Sequence, residues 1–171
     1  MASPGHALSF LLAASFILAM ASASALPCAV YCEVEINMRL YLHRIDAQDQ
    51  KMVVSSTSPG QFGAIVVNNW AVVDAPTPNA TIVARGEGMQ LKVSQDPSGW
   101  FNYVTIVFKD TRFAGSTLIA MGKGEWAIGG GTGQFANAHG TIKLTLLQIT
   151  SDGSFIQLDI NGFSNPDVVS I

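Results

Sequence analysis

From residue 33 to 44 the chain alternates with period two. Val34, Ile36, Met38, Leu40 and Leu42 fall on one side, and Glu35, Asn37, Arg39, Tyr41 and His43 on the other. Successive side chains of a strand point to opposite faces, so this run predicts a half-buried β-strand. Arg44 falls on the apolar side at the end of the run. An arginine there either holds its head in water at a rim or lines a cavity. The period recurs downstream. Met89, Leu91 and Val93 alternate with Gln90, Lys92 and Ser94 in a strand expected over 82–94. Val104, Ile106 and Phe108 alternate with Tyr103, Thr105 and Val107 over 100–109. Ile142, Leu144 and Leu146 alternate with Thr141, Lys143 and Thr145, until Leu147 shifts the phase and predicts a bulge. Ile156, Leu158 and Ile160 return antiparallel after it.

Shorter runs complete the set. Residues 62–67 read as an apolar strand that 71–74 continues or follows, and 125–128 as another. Residues 114–121 are apolar on both faces, which predicts cover on both. Residues 46–60 are polar and end in Pro59-Gly60, a loop signal. Asp96-Pro97-Ser98-Gly99 is a turn, and Ser151-Asp152-Gly153-Ser154 a hairpin signal. No helical period appears beyond the amino-terminal segment. The pattern predicts one all-β domain of about eight strands, a sandwich or, with its long strands and many glycines, a barrel. A barrel of about eight strands encloses room for one small ligand.

Gly129, Gly130, Gly131 and Gly133 crowd the point where one strand run meets the next. Such a cluster suits a sharp turn at a barrel rim or a close approach. It is not a phosphate loop: no Lys-Ser/Thr follows the glycines, and the next segment reads as strand rather than helix.

Composition adds an address. The apolar run 8–25 ends in small residues before Leu26-Pro27, the pattern of a secretory signal cleaved after Ala25, leaving one domain over 26–171. No other stretch is long and apolar enough to span a bilayer. Charged residues make up 12% of the chain, about half the usual share of ~25%. With a net charge of −3 and no basic patch, nothing suits a nucleic-acid partner. So few charges imply apolar surface hidden in a subunit contact, a lined cavity, or both. Cys28 and Cys32 are disulfide candidates, to each other or between chains, in a secreted setting. Two thiols without a histidine cluster make no metal site. Asn79-Ala80-Thr81 is an N-glycosylation sequon beside a proline break.

Catalytic signatures are sparse. No Gly-x-Ser-x-Gly elbow is present. Of the carboxylates Asp46, Asp74, Glu87, Asp110, Glu125 and Asp159, only Glu87, between two glycines, has a setting that suggests a site.

Four stretches are similar to the plant dirigent family. They are Tyr41-Leu42-His43; Phe62-Gly63-Ala64-Ile65-Val66-Val67; Ala84-Arg85-Gly86-Glu87-Gly88; and Phe113 to Leu118 with Gly130-Gly131-Thr132-Gly133-x-Phe135 and Ala138-x-Gly140. They occur in the family's order over residues 40–163. The resemblance implies an eight-stranded antiparallel β-barrel of the dirigent or allene-oxide-cyclase type, secreted to the apoplast as a trimer or dimer. It implies no cofactor. The implied activity is to bind phenoxy radicals made by a separate laccase or peroxidase and to bias the stereochemistry of their coupling, as in lignan formation, without redox chemistry of its own. Such a protein is an auxiliary guide rather than an enzyme. Orientation alone suffices physically, since a tenfold product bias needs only about 1.4 kcal/mol between competing geometries.

His43, Arg85 and Phe135 are the binding residues the resemblance implies. Arg44, Gln134 and His139 stand where members active in lignan coupling carry Asp, Asp and Arg, and Asn69-Trp70 replaces a further acidic pair. Gln134 hydrogen-bonds but is no acid, His139 brings an imidazole of the kind that serves as acid or base, and Arg44 reverses the local charge. Two alternatives therefore stand beside lignan coupling. One is a guide for a terpenoid or a different phenolic substrate. The other is a non-catalytic secreted binding, defence or cell-wall protein.

Overall fold

The computed structural model describes residues 33–45, 47–151 and 153–166; the segment 1–25, Cys28, Cys32, Asp46 and Asp152 lie outside them. The strands are β1 (Val34–Ile45), β2 (Gln50–Val54), β3 (Ile65–Val73), β4 (Ile82–Lys92), β5 (Trp100–Phe108), β6 (Thr117–Lys123), β7 (Glu125–Thr132), β8 (His139–Ile149) and β9 (Gly153–Ser164). They pair antiparallel in the order β1-β9-β8-β7-β6-β5-β4-β3-β2. A further pairing of β1 with β3, from Tyr41↔Val73 to His43↔Ala71, closes eight strands into a barrel. Each of the eight thus has a neighbour on both sides for part of its length, β1 meeting β3 over three residues and β7 meeting β8 over three. β2 takes up the other half of β3, from Gln50↔Asn68 to Val54↔Ile65.

The inward face follows the alternation in most strands. Ile36 and Leu42 of β1, Val104 and Ile106 of β5, and Leu158 and Ile160 of β9 are all buried in one core. The phase break at Leu147 is a bulge: pairing of β8 with β9 shifts between Leu146 and Gln148. Two strand boundaries differ from expectation. Residues 71–73 do continue the run that begins within 62–67, but the strand they form, β3, starts only at Ile65 and ends at Val73. Within the loop expected over 46–60, Gln50–Val54 is a strand, because the free half of β3 offers it hydrogen-bonding partners.

β4 reverses the simple rule. Gln90 and Lys92 lie on the inward side with Ala84 and Gly86, while Met89 and Leu91 face outward. β6 is covered on one face only: Leu118 and Ala120 are buried, but Ile119 and Met121 are half-exposed.

The glycine run is strand, not loop, as far as Thr132, and then a single 3₁₀ turn at Gly133–Phe135. The register of β6 and β7 shifts here, Ile119 pairing with Gly130 and Ala120 with Ile128. A β-carbon on Gly131 would stand 2.4 Å from the Phe135 carbonyl oxygen and 2.5 Å from that of Thr117. Only glycine allows that approach.

The two ends of the barrel differ. At the end of the glycine run, Phe135 turns in and packs on Phe108 and Phe113, with ring centroids 4.8 Å and 5.0 Å away. Phe108 and Phe113 meet edge to face at 5.5 Å. This plug closes that end. At the other end the inward positions turn polar. Lys92, 3% exposed, donates to the carbonyls of Asp96 and Pro97, and its ammonium lies over the Trp100 ring. It thereby ties down the β4–β5 hairpin. No helix among the described residues is long and apolar enough to cross a membrane.

Candidate functional site

The open end holds a cavity of about 170 Å³, lined by Leu42, Arg44, Trp70, Gln90, Asn102, Gly124, Trp126, Leu144 and Ile156. It meets a wider vestibule of about 650 Å³ at Arg44 and Ile156, with Leu146 and Ile149 also on the vestibule wall. Strand order fixes how the lining is distributed. β3 and β7 stand four strands apart in either direction round the eight, so Trp70 and Trp126 rise from opposite walls. β4 and β5, with Gln90 and Asn102, lie opposite β8 and β9, with Leu144 and Ile156. An amide wall therefore faces an aliphatic wall, with an indole on each flank.

The amides are ordered. Gln90 Nε2 donates to Asn102 Oδ1 at 2.9 Å, and Asn102 Nδ2 donates to the Gly122 carbonyl at 3.4 Å. The chain of donation leaves Gln90 Oε1 as acceptor. The indoles are not satisfied. Both rings are 2% exposed, and Nε1 of Trp70 and of Trp126 has no hydrogen-bond partner. Each unmet donor costs about 1–3 kcal/mol, and neither nitrogen is open to the cavity, so the rings meet it through carbon.

The residues expected from the sequence do not gather here. Arg44 alone lines the cavity. Gln134 is at the plugged end, its N–H donating to Ser116 Oγ at 3.0 Å and its carbonyl accepting from the Ser164 hydroxyl at 3.1 Å. It borders a different cavity, of about 160 Å³, beside Val34 to Met38 and Arg112. Phe135 belongs to the plug. His139 is on the outer surface, its Nε2 3.6 Å from the Glu33 carboxylate and its ring 5.9 Å from that of Phe163.

His43 and Arg85 also face outward, in one row across the strands through Ala71. The His43 ring stacks on Phe155 at 4.2 Å and 11°, and Arg85 Nε donates to Asn69 Oδ1 at 2.8 Å. Glu87 is exposed on the outer face as well. Asn79 is exposed in the turn between β3 and β4, reachable by a glycan. No cluster of three or more His, Cys, Asp or Glu suited to a metal occurs among the described residues.

The sequence reading missed Gln90, Asn102, Trp70 and Trp126 as lining residues. A signal existed for the tryptophans: each lies two positions before a buried aliphatic of its own strand, Val72 and Ile128.

The barrel and its lumen define a class, and comparison with known proteins agrees. The family profile described as dirigent-like protein matches residues 35–162. The chain belongs to that family. Pterocarpan synthase 1 of Glycyrrhiza echinata is 25% identical over 141 residues, covering 72% of this chain and 75% of that protein. Pterocarpan synthase 1 of Glycine max is 26% identical over 109 residues, covering 58% of this chain and 59% of that protein. The structure of the pterocarpan synthase dirigent protein GePTS1 superposes with a TM-score of 0.70 at 24% identity, over 77% of this chain and 89% of that one. That of PsPTS1 superposes with a TM-score of 0.69 at 22% identity, over 77% and 96%. At these identities the superpositions speak for the fold.

Proposed function

We propose that the chain is a dirigent-type guide for a phenolic substrate, bound one molecule at a time in the open-end lumen. The observation that carries this reading is the size and division of the cavity. About 170 Å³ is below the ~300–1,000 Å³ of ordinary small-molecule pockets, so it admits one ring system. An amide wall opposite an aliphatic wall gives that ring one preferred orientation. Fixing orientation converts an unselective bond formation into a selective one. Relatives named pterocarpan synthase support a phenolic product other than a lignan.

The experiment supplies the ring-opened precursor of a pterocarpan with and without protein and resolves the product by chiral chromatography. The reading expects faster closure and one enantiomer. Racemic closure at the uncatalysed rate overturns it.

A second reading, lignan coupling with radicals from a separate laccase or peroxidase, has one observation in its favour. The vestibule shares Arg44 and Ile156 with the lumen, so a second ring has room beside the first. Laccase oxidation of coniferyl alcohol in the presence of the protein decides it: an enantiomeric excess of pinoresinol supports this reading, and racemic pinoresinol retires it. Secretion to the apoplast, a glycan on Asn79 and a homo-oligomer belong to the same proposal. The oligomer is supported by an outward row in register, Val67, Met89, Tyr103 and Met121. An apolar row on the outside of a barrel is suited to contact with another copy.

A further inference from the structure

We infer that the outer face of β1, β9 and β8 binds a polysaccharide bearing uronate groups, at a surface separate from the lumen. A depression of about 370 Å³ lies there, with Asn37, Arg39, Lys143, Asp159 and Asn161 on its walls. Register sets these groups in two rows. Lys143, Asp159 and Arg39 are direct partners across three strands, and Asn161 and Asn37 are partners one row along. The charged row is held in place. Arg39 Nε donates to Asp159 Oδ1 at 2.6 Å, and Gln157 Nε2 donates to Asp159 Oδ2 at 2.7 Å. Both terminal nitrogens of the Arg39 guanidinium, and the Lys143 ammonium, have no hydrogen-bond partner among the described residues. Two cations beside one carboxylate, itself already engaged, make the row positive in a chain whose net charge is −3. The complement of that row is an anion, and the flat end of a guanidinium suits a carboxylate.

The amide row selects the rest of the ligand. Neither Asn37 nor Asn161 makes a side-chain hydrogen bond among the described residues, and each amide both donates and accepts. Hydroxyls also do both, so they answer such a pair, whereas the carboxylates of an acidic peptide only accept. A sugar acid carries a carboxylate and neighbouring hydroxyls on one ring, which matches the two rows together. One row beyond the amides, Glu35 is the direct partner of Phe163, an exposed ring. That row repels a second carboxylate and offers an aromatic surface to the apolar face of a sugar, so the anion is placed at Arg39 and Lys143.

The test is calorimetric titration of the folded, secreted protein, in low-salt buffer free of calcium, with three probes: oligogalacturonate, the same oligomer methyl-esterified, and polyglutamate. Oligogalacturonate is expected to bind at least fivefold more tightly than either of the others, and to weaken as salt is added. Lys143→Gln and Arg39→Gln are each expected to weaken it about two- to fivefold, and the double variant about tenfold. Lys143 is exposed and makes no contact that folding needs, so its variant remains a fair test if Arg39→Gln is unstable. Asn161→Ala is expected to weaken oligogalacturonate about two- to fivefold and to leave polyglutamate unchanged, a split that a general loss of structure would not produce. No binding of oligogalacturonate, equal binding of its ester, or an unchanged affinity in Lys143→Gln overturns the inference. Equal binding of polyglutamate overturns it as well and assigns the face to acidic peptides. None of these outcomes bears on the guiding reading, which the coupling and closure assays decide in the lumen.

Discussion

Replacing Phe135 separates the stability of the barrel from its recognition. The side chain is 3% exposed and is the centre of the three-ring plug, in contact with Phe108 and Phe113. Truncating a buried phenylalanine to alanine costs about 3–5 kcal/mol, including the cavity it leaves. Its two ring contacts account for roughly 0.5–1.5 kcal/mol each of that. Against a total of about 5–15 kcal/mol for a domain, Phe135→Ala leaves the barrel marginal. Urea denaturation is expected to show a lower midpoint at an unchanged m-value, and heating a fall in Tm of roughly 6–20 °C.

The milder Phe135→Leu keeps most of the volume and costs under about 1.5 kcal/mol, so it stays folded. Its affinity for coniferyl alcohol is expected to equal that of the unmutated protein, because the plug and the open cavity share no lining residue. Two results refute the reasoning. A loss of less than about 1 kcal/mol in Phe135→Ala would mean that the plug does not hold the barrel. A fall in affinity of more than about fivefold in Phe135→Leu, larger than its packing cost explains, would return Phe135 to the binding residues.

Three further outcomes are expected. Gly131→Ala brings a β-carbon within 2.4 Å of the Phe135 carbonyl oxygen; a loss of about 1–3 kcal/mol is expected in urea, and an unchanged midpoint would show the turn relaxing freely. Met89→Asp puts a charge in the outward apolar row; light scattering is expected to show a multimer reduced to a single barrel, and a native protein already monomeric at micromolar concentration would rule that interface out. Hydrogen bonds from the Arg39 guanidinium and from Gln157 hold the Asp159 carboxyl below its ordinary value. With the folded value lowered, its contribution is complete above roughly pH 4 and is lost as pH falls through that folded value. The stability gap between the native protein and Asp159→Asn should therefore close on acidification, shallowly because the pair is exposed. A gap constant down to pH ~2 would contradict the assignment.

The fold was legible where one face is solid core. β1, β5 and β9 could be read from alternation, and the bulge from Leu147, because a one-residue slip there would expose a buried row. β4 could not be read that way. Its inner wall is small or polar (Ala84, Gly86, Gln90, Lys92) because part of it borders a cavity and part is filled by Trp70, which pairs with Gly86. Its larger apolar side chains therefore lie outside, and a rule that puts the apolar side in the core inverts the strand. β2 escaped because its residues are exposed and a short edge strand carries no hydrophobic period. The site was the least legible part. Its lining side chains are ordinary amides and indoles, and only the barrel's closure brings them from four different strands to one cavity.

That closure also changes what the substitutions at Arg44, Gln134 and His139 mean. Read along the sequence, they look like one catalytic set altered together. In the barrel they cannot act together on a ligand in the lumen. Gln134 borders Val34 to Met38, six to ten residues along β1 from Arg44, which is about 20–33 Å at ~3.3 Å per residue. His139 is outside the wall altogether. Neither reaches a ring held between Trp70 and Trp126. The polar character of the lumen is instead set by Arg44, Gln90 and Asn102, none of which is a carboxylic acid. Chemistry that needs a carboxylic acid on the lumen wall therefore has no donor in that lining. What the lining does offer is an amide wall opposite an aliphatic one, an asymmetry that, on the proposed reading, would orient a bound ring.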